Sequence, residues 1–138
     1  MASNDGKAAE AAFVAHWERV GHVERFRDLR DLMGINKGKR IADFPKPSDF
    51  IVSAPGVPLH FAEVKSTMER DRFDFKCIRD GQSAAAQRSY LRGDRGYMFY
   101  IFSYPRGQWF IMTSEDYAHQ LKMGRRSIKF EELKPWLK

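Results

Sequence analysis

Pro47-Ser48-Asp49-Phe50-Ile51-Val52-Ser53-Ala54-Pro55-Gly56-Val57-Pro58-Leu59-His60-Phe61-Ala62-Glu63-Val64-Lys65 reads as two apolar strands folded about a Pro-Gly turn. Side chains two apart on a strand leave the same face, so Glu63 and Lys65 share one. Asp49 opens the first apolar run, and a hairpin through residues 54–58 returns the chain so that Asp49 lies beside Glu63. Two carboxylates and an ammonium then converge at one end of the hairpin. Such a set suits phosphodiester hydrolysis with a divalent metal: hard oxygen ligands hold Mg²⁺, which lowers the pKa of a bound water and neutralises the scissile phosphate. A lysine there can orient or deprotonate the attacking water and offset transition-state charge. Taken alone, Glu63-Val64-Lys65 also fits a surface ion pair of little energetic worth. The pairing with Asp49, and the way charge interrupts an apolar strand, favour the catalytic reading.

The chain has 138 residues, enough for one domain (1–138) with a proper core and too few for two. A hydrophobic share of 43% and an aromatic share of 14% fit a folded globular protein. The formal charge is +6 and the pI near 9.6, which points to a polyanionic partner, nucleic acid first, with a merely soluble basic protein equally open on charge alone. Cys77 is the only cysteine, which excludes an internal disulfide and a multi-cysteine zinc site, and it reads as a packing residue. His16, His22, His60 and His119 show no close metal-ligand pairing. The N-terminus carries Asp5 and Glu10 and lacks the basic-then-apolar pattern of a signal peptide. The longest strongly apolar run, Tyr97 to Phe102, is too short to span a bilayer. A soluble, cytoplasmic protein with no membrane partner is the expectation.

Lys7 to Arg19 reads as a helix with Phe13, Val14 and Trp17 as its apolar stripe, ended by Gly21. Val23 to Asp28 is ambiguous and fits a short strand, Leu29 to Met33 fits a helical turn, and Asn36 to Lys46 reads as a basic loop or arm. Phe50 to Ala54 and Leu59 to Lys65 are the paired strands, and Met68 to Phe75 reads as charged and irregular. Asp80 to Leu91 is a second helix stopped at Gly93. Tyr97 to Ser103 is a central strand buried on both faces, and Gln108 to Met112 returns from the Tyr104-Pro105-Arg106-Gly107 turn. Ser114 caps a helix to about Leu121, and Phe130 to Trp136 reads as a short terminal helix. This order implies one mixed sheet covered by helices.

The Pro-Ser-Asp49 and Glu63-Val64-Lys65 segments resemble the signature of the PD-(D/E)XK nuclease superfamily. More narrowly, the chain resembles RecU-type and archaeal-type Holliday junction resolvases. Asn4-Asp5-Gly6-Lys7-Ala8-Ala9-Glu10 is similar to the family's glycine-then-glutamate start of its first helix. Phe73 to Gln82 resembles the RecU segment that places a glutamine at a helix start after the metal site, and the Gly96 to Phe102 strand follows in the same order. The likeness runs from about Asn4 to Ile111, and it departs between the first helix and Asp49, where the chain is shorter than the stalk-bearing RecU segment. The resemblance implies a restriction-endonuclease-like α/β fold with a mixed β-sheet flanked by helices. It further implies Asp49, Glu63 and the Val64 carbonyl as ligands to Mg²⁺, with Mn²⁺ able to substitute, and Lys65 at the nucleophilic water. Glu10 is implied as a further acidic group reaching the site from the first helix, and Gln82 as a group orienting Lys65, a water or a phosphate.

Lys37, Lys39 and Arg40 flank Gly38 in a basic loop suited to backbone phosphate contacts, with a solvated loop as the plain alternative. Arg70, Arg72, Lys76 and Arg79 form a second basic group beside the catalytic segment, and Arg125-Arg126 fits either a DNA contact or solubility. The expected activity is Mg²⁺-dependent resolution of four-way DNA junctions by a homodimer, since paired nicks need two sites related by a two-fold axis. The alternatives are another nuclease of the superfamily acting on nicks, flaps or duplex, and a non-catalytic DNA-binding protein on the same scaffold.

Overall fold

A computed structural model describes residues 2–26, 48–93 and 96–137, with residues 2–5 by backbone alone. Helix α1 (Ala2–Val20) leads into strand β1 (His22–Arg25), and β2 (Phe50–Ala54) and β3 (Val57–Thr67) form the hairpin. Strand β4 (Arg72–Asp74) runs into a 3-10 turn at Phe75–Cys77, then helix α2 (Asp80–Arg92). Strands β5 (Tyr97–Ser103) and β6 (Gln108–Thr113) precede helix α3 (Ser114–Lys122). Strand β7 (Ser127–Lys129), a 3-10 turn at Phe130–Glu132 and strand β8 (Lys134–Trp136) complete the order.

The main sheet runs β1-β2-β3-β5-β6-β8, and β4 pairs with β7 in a separate ribbon. β3 and β5 are parallel, and the other neighbouring pairs are antiparallel. A parallel pair requires a crossover, and β4, the 3-10 turn and α2 supply it. This is the mixed α/β sheet flanked by helices that the sequence implies. Alternation along the strands sorts the core into two layers. Phe13 and Trp17 of α1 pack with Phe50, Val52, Ala62, Val64 and Tyr100 on one face. Tyr97, Phe99, Ile101, Phe110 and Met112 pack on the other with Ala86 of α2 and Tyr117 of α3. β5 is covered on both sides, as its unbroken apolar run requires.

Several boundaries differ from expectation. Met68 to Phe75 is not irregular throughout, because β4 pairs with β7 through Arg72↔Lys129, Phe73↔Ile128 and Asp74↔Ser127. A strand with a single inward residue, Phe73, carries too little alternation to be read. The ambiguous run after Gly21 holds β1, aligned Arg25↔Phe50 to His22↔Ser53. Residues 130–136 form a 3-10 turn and an edge strand in place of a helix. There Pro135 sits on an edge, and Trp136 stacks on Trp17 at a centroid distance of 6.0 Å, so tertiary packing overrides the helical propensity of Glu131-Glu132-Leu133. Thr113, one residue before Ser114, caps α3: its Oγ1 accepts from the Asp116 N–H at 3.0 Å, and Asp116 Oδ2 accepts from the Thr113 N–H at 3.1 Å. Cys77 is exposed and is not a packing residue. The expected turn at Leu29 to Met33 and the loop from Asn36 to Lys46 lie outside the described residues.

His60 is a core group: it is 2% exposed, its Nδ1 donates to the Pro58 carbonyl at 2.8 Å, and its Nε2 meets the Tyr100 hydroxyl at 2.8 Å. Burial lowers its pKa, which keeps the ring neutral. Among the described residues no helix is long and apolar enough to cross a membrane.

Gly21 joins α1 to β1 where the backbone of β2 passes closest. A Cβ there would lie 2.5 Å from both the Ser53 carbonyl oxygen and the Ala54 Cβ. Gly21→Ala is expected to destabilise the fold by about 1–3 kcal/mol in chemical denaturation, the usual cost of overpacking. An unchanged midpoint would show that α1 and β2 are not held this tightly.

Candidate active site

β3 extends past the start of β2, and the site occupies the fork this creates. The last β2–β3 pair is Phe50↔Ala62, so the chain before Phe50 leaves the ladder opposite Glu63 and Val64. Ser48 fixes that departure by donating its hydroxyl to the Phe50 carbonyl at 2.8 Å, and the Asp49 carbonyl accepts from the Phe26 N–H at 2.9 Å. Asp49 is thereby tied to both Glu63 and Val64. Its N–H donates to Glu63 Oε1 at 3.1 Å, and its Oδ2 accepts from the Val64 N–H at 3.3 Å. The N–H and C=O of a strand residue project to the same edge, so the Val64 carbonyl faces the Asp49 side.

Phe61, Glu63 and Lys65 leave β3 on the face covered by α2 and α3, opposite the α1 face that takes Ala62 and Val64. Glu63 is 2% exposed. Its Oε2 accepts from Gln82 Nε2 at 2.9 Å and lies 3.2 Å from Lys65 Nζ. Gln82 sits in the first turn of α2, with its Oε1 accepting the Arg79 N–H at 3.0 Å, so one amide caps the helix and clamps the carboxylate. Lys65 Nζ also donates to the Cys77 carbonyl at 3.0 Å. That contact was not legible in the sequence, because it uses backbone and depends on the 3-10 turn.

Asp49, Glu63, Lys65 and Gln82 are therefore brought together. Glu10 pairs with Arg25 of β1, whose strand partner Phe50 adjoins Asp49. Arg72, Lys76 and Arg79 are exposed around the segment between β3 and α2. Lys37, Lys39 and Arg40 lie outside the described residues.

Burial pushes the Glu63 carboxyl up to about 8, the adjacent Asp49 charge adds to the rise, and Lys65 opposes it. Tyr97, at the start of β5, is pushed well above the usual phenol range by burial, then by the negative charges of Glu63 and Asp49. Two carboxyl groups with a main-chain carbonyl are the kind of oxygen donors that a hard divalent cation takes. The residues fit such an ion, with Asp49, Glu63 and Val64 as its holders. Among the described residues no group of three or more His, Cys, Asp or Glu side chains is arranged to hold a metal, so the donor set rests on this carboxylate pair.

No family model and no curated protein matches the chain. Its fold is similar to that of Hjc, a Holliday junction resolvase from the archaeal hyperthermophile Archaeoglobus fulgidus, with a TM-score of 0.58 over 94% of this chain and 95% of that one. The two are 14% identical, so the likeness shows a shared fold alone, the mixed α/β sheet flanked by helices that the resemblance implies.

The Glu63 proton links stability to pH. Its pKa is about 8 when folded against 4.5 for the free group, so the folded state holds the proton more tightly between those values. The stability this contributes is fully present below pH 4.5 and is lost as pH rises through 8. Glu63→Gln, which cannot titrate, is expected to flatten the decline of metal-free stability across that window in urea melts. Parallel pH profiles for the two proteins would show that Glu63 is ionised throughout.

Proposed function

We propose that this chain is a metal-dependent DNA endonuclease that resolves four-way junctions by paired phosphodiester hydrolysis. The observation that carries the reading is the convergence of Asp49, Glu63 and Lys65 in the strand fork of a resolvase nuclease fold. Mg²⁺, with Mn²⁺ able to substitute, supplies Lewis acidity at the scissile phosphate. Asp49 and Glu63 provide the anionic donors, and the bonds from the Asp49 N–H to Glu63 and from the Val64 N–H to Asp49 hold both in place before any ligand arrives. Gln82 leaves Glu63 little rotational freedom.

Lys65 has the Cys77 carbonyl and Glu63 as anchors, so its ammonium is fixed at the edge of the pair with 14% of its side chain exposed. Fixed there, it orients the attacking water and offsets charge on the pentavalent phosphate as the leaving oxygen departs. Glu10 acts from α1 through Arg25, which sets the start of β2 and with it Asp49. Lys37, Lys39, Arg40, Arg72, Lys76 and Arg79 contact backbone phosphates and position the substrate without reading its sequence. A junction presents two equivalent strands for cutting, so the active form is a homodimer with one such site in each subunit. A soluble cytoplasmic location follows from this substrate.

Nicking of a synthetic four-way junction is expected to require Mg²⁺ and to exceed nicking of flap or linear DNA of the same sequence. Equal cleavage of linear duplex would place the chain among general nucleases of this fold, and binding without cleavage would make it architectural. Asp49→Asn should abolish nicking, because an amide keeps the shape and loses the charge. Lys65→Ala should slow single-turnover nicking by about 100-fold or more while junction affinity in Ca²⁺ stays near wild type. A parallel collapse of affinity and rate would make Lys65 a DNA contact.

A further inference from the structure

Arg125 and Arg126 follow α3 on the way to β7. With Lys76 they line a cleft of about 390 Å³ whose floor includes Phe75 and Tyr117. The two rings meet edge-on at a centroid distance of 5.0 Å. Both walls are pinned through backbone. The Arg126 carbonyl accepts from the Phe75 N–H at 2.9 Å, the Arg125 N–H donates to the Gln120 carbonyl at 2.9 Å, and Asp74 Oδ1 accepts from the Lys76 N–H at 2.9 Å. Beyond the cleft, β4 and β7 set Arg72 directly opposite Lys129, both exposed. Like charges facing one another on paired strands are unfavourable unless something anionic covers them.

The plain explanation for Arg125 and Arg126 is complementation of the C-terminal end of α3. That end is already served by backbone: the His119, Gln120 and Leu121 carbonyls accept from the N–H groups of Met123, Arg125 and Gly124. Among the described residues, none of Arg72, Lys76, Arg125, Arg126 and Lys129 takes part in an ion pair. Asp74 is the one carboxylate lining the cleft among the described residues, against Lys76, Arg125 and Arg126, so the cleft keeps an excess of positive charge. Arg72 and Lys129 continue that charge along the ribbon, which suits an extended polyanion better than a single small anion. The line also begins at the catalytic set, since Lys76 adjoins Cys77, whose carbonyl holds Lys65 Nζ.

We infer that the Lys76–Arg125–Arg126 cleft, continued by Arg72 and Lys129 on the β4–β7 ribbon, holds the sugar-phosphate backbone of the DNA strand that enters the Lys65 site. This rests on the DNA-directed reading above. It adds the turn after α3 to the binding surface and gives the bound strand a direction, from the ribbon towards the fork.

The test is fluorescence anisotropy of a labelled four-way junction in Ca²⁺ over a salt series. It compares wild type, the R125Q/R126Q double variant, Lys76→Gln from the opposite wall, and R88Q/R92Q, an equal charge change on exposed positions of α2. Losing Arg125 and Arg126 should weaken binding about tenfold or more and lower the slope of log affinity against log salt by about 1.8, with Lys76→Gln lowering it by about 0.9. R88Q/R92Q should keep the wild-type slope. Unchanged slopes for both cleft variants, an equal loss in R88Q/R92Q, or no junction binding by wild type would each overturn the inference. Cleavage in Mg²⁺ is scored separately, so a wild type that binds but never cuts sinks the nuclease reading while the binding comparison still decides the cleft.

Discussion

Glu63 is an acid that the fold buries almost completely, beside a second acid and with the Lys65 ammonium 3.2 Å away. A charged carboxylate in such a place is costly unless its oxygens are satisfied and its charge is met. The first requirement is fulfilled by the protein itself: the Asp49 N–H, the Gln82 amide and the Lys65 ammonium cover both oxygens. The second is met in part by Lys65, yet burial, with the Asp49 charge beside it, still raises the Glu63 pKa. A buried, fully hydrogen-bonded acid with so shifted a pKa has the character of a functional site.

Much of the surrounding architecture follows from holding that pair. β2 begins at Phe50, which frees the backbone edge of β3 at Glu63 and Val64 for Asp49. The crossover from β3 to β5 delivers the first turn of α2, where Gln82 faces Glu63, and the 3-10 turn, where the Cys77 carbonyl faces Lys65. The β4–β7 ribbon steadies that turn through Phe73, packed with Ile128 and Phe130 in the core layer covered by α2 and α3. On the opposite face of the sheet α1 carries Phe13 and Trp17 against β2 and β3, which sets the strands from which the site projects.

The site was legible because its signal is local. A strand pair with a tight turn fixes which residues oppose one another, and residues 49 and 63 fall together once the hairpin is accepted. Phe50–Ala54 and Tyr97–Ser103 were legible to the residue, since apolar β-rich runs bounded by turn chemistry leave little choice. What stayed hidden depends on distant partners. β4 is a strand only because Ile128 and its neighbours arrive beside it, and β8 only because Trp136 finds Trp17 and Trp109. Arg25 could not be assigned to Glu10, nor Cys77 to Lys65, because neither pairing follows from spacing along the chain. The ambiguity of Arg125-Arg126 had the same origin, as its relation to Lys76 appears only when β7 is paired with β4.

If the Asp49–Glu63 pair holds a divalent cation, the ion enters in exchange for the Glu63 proton. Calorimetric titration of Mn²⁺ in two buffers of different ionisation enthalpy, near pH 6.5 and again near pH 9.5, reads both the binding and the protons exchanged. With the Glu63 carboxyl pushed up to about 8, close to one proton is expected to be released per ion at the lower pH and close to none at the higher, with affinity rising between them. Binding that ignores pH, or no binding in wild type beyond that of Asp49→Asn, would contradict it.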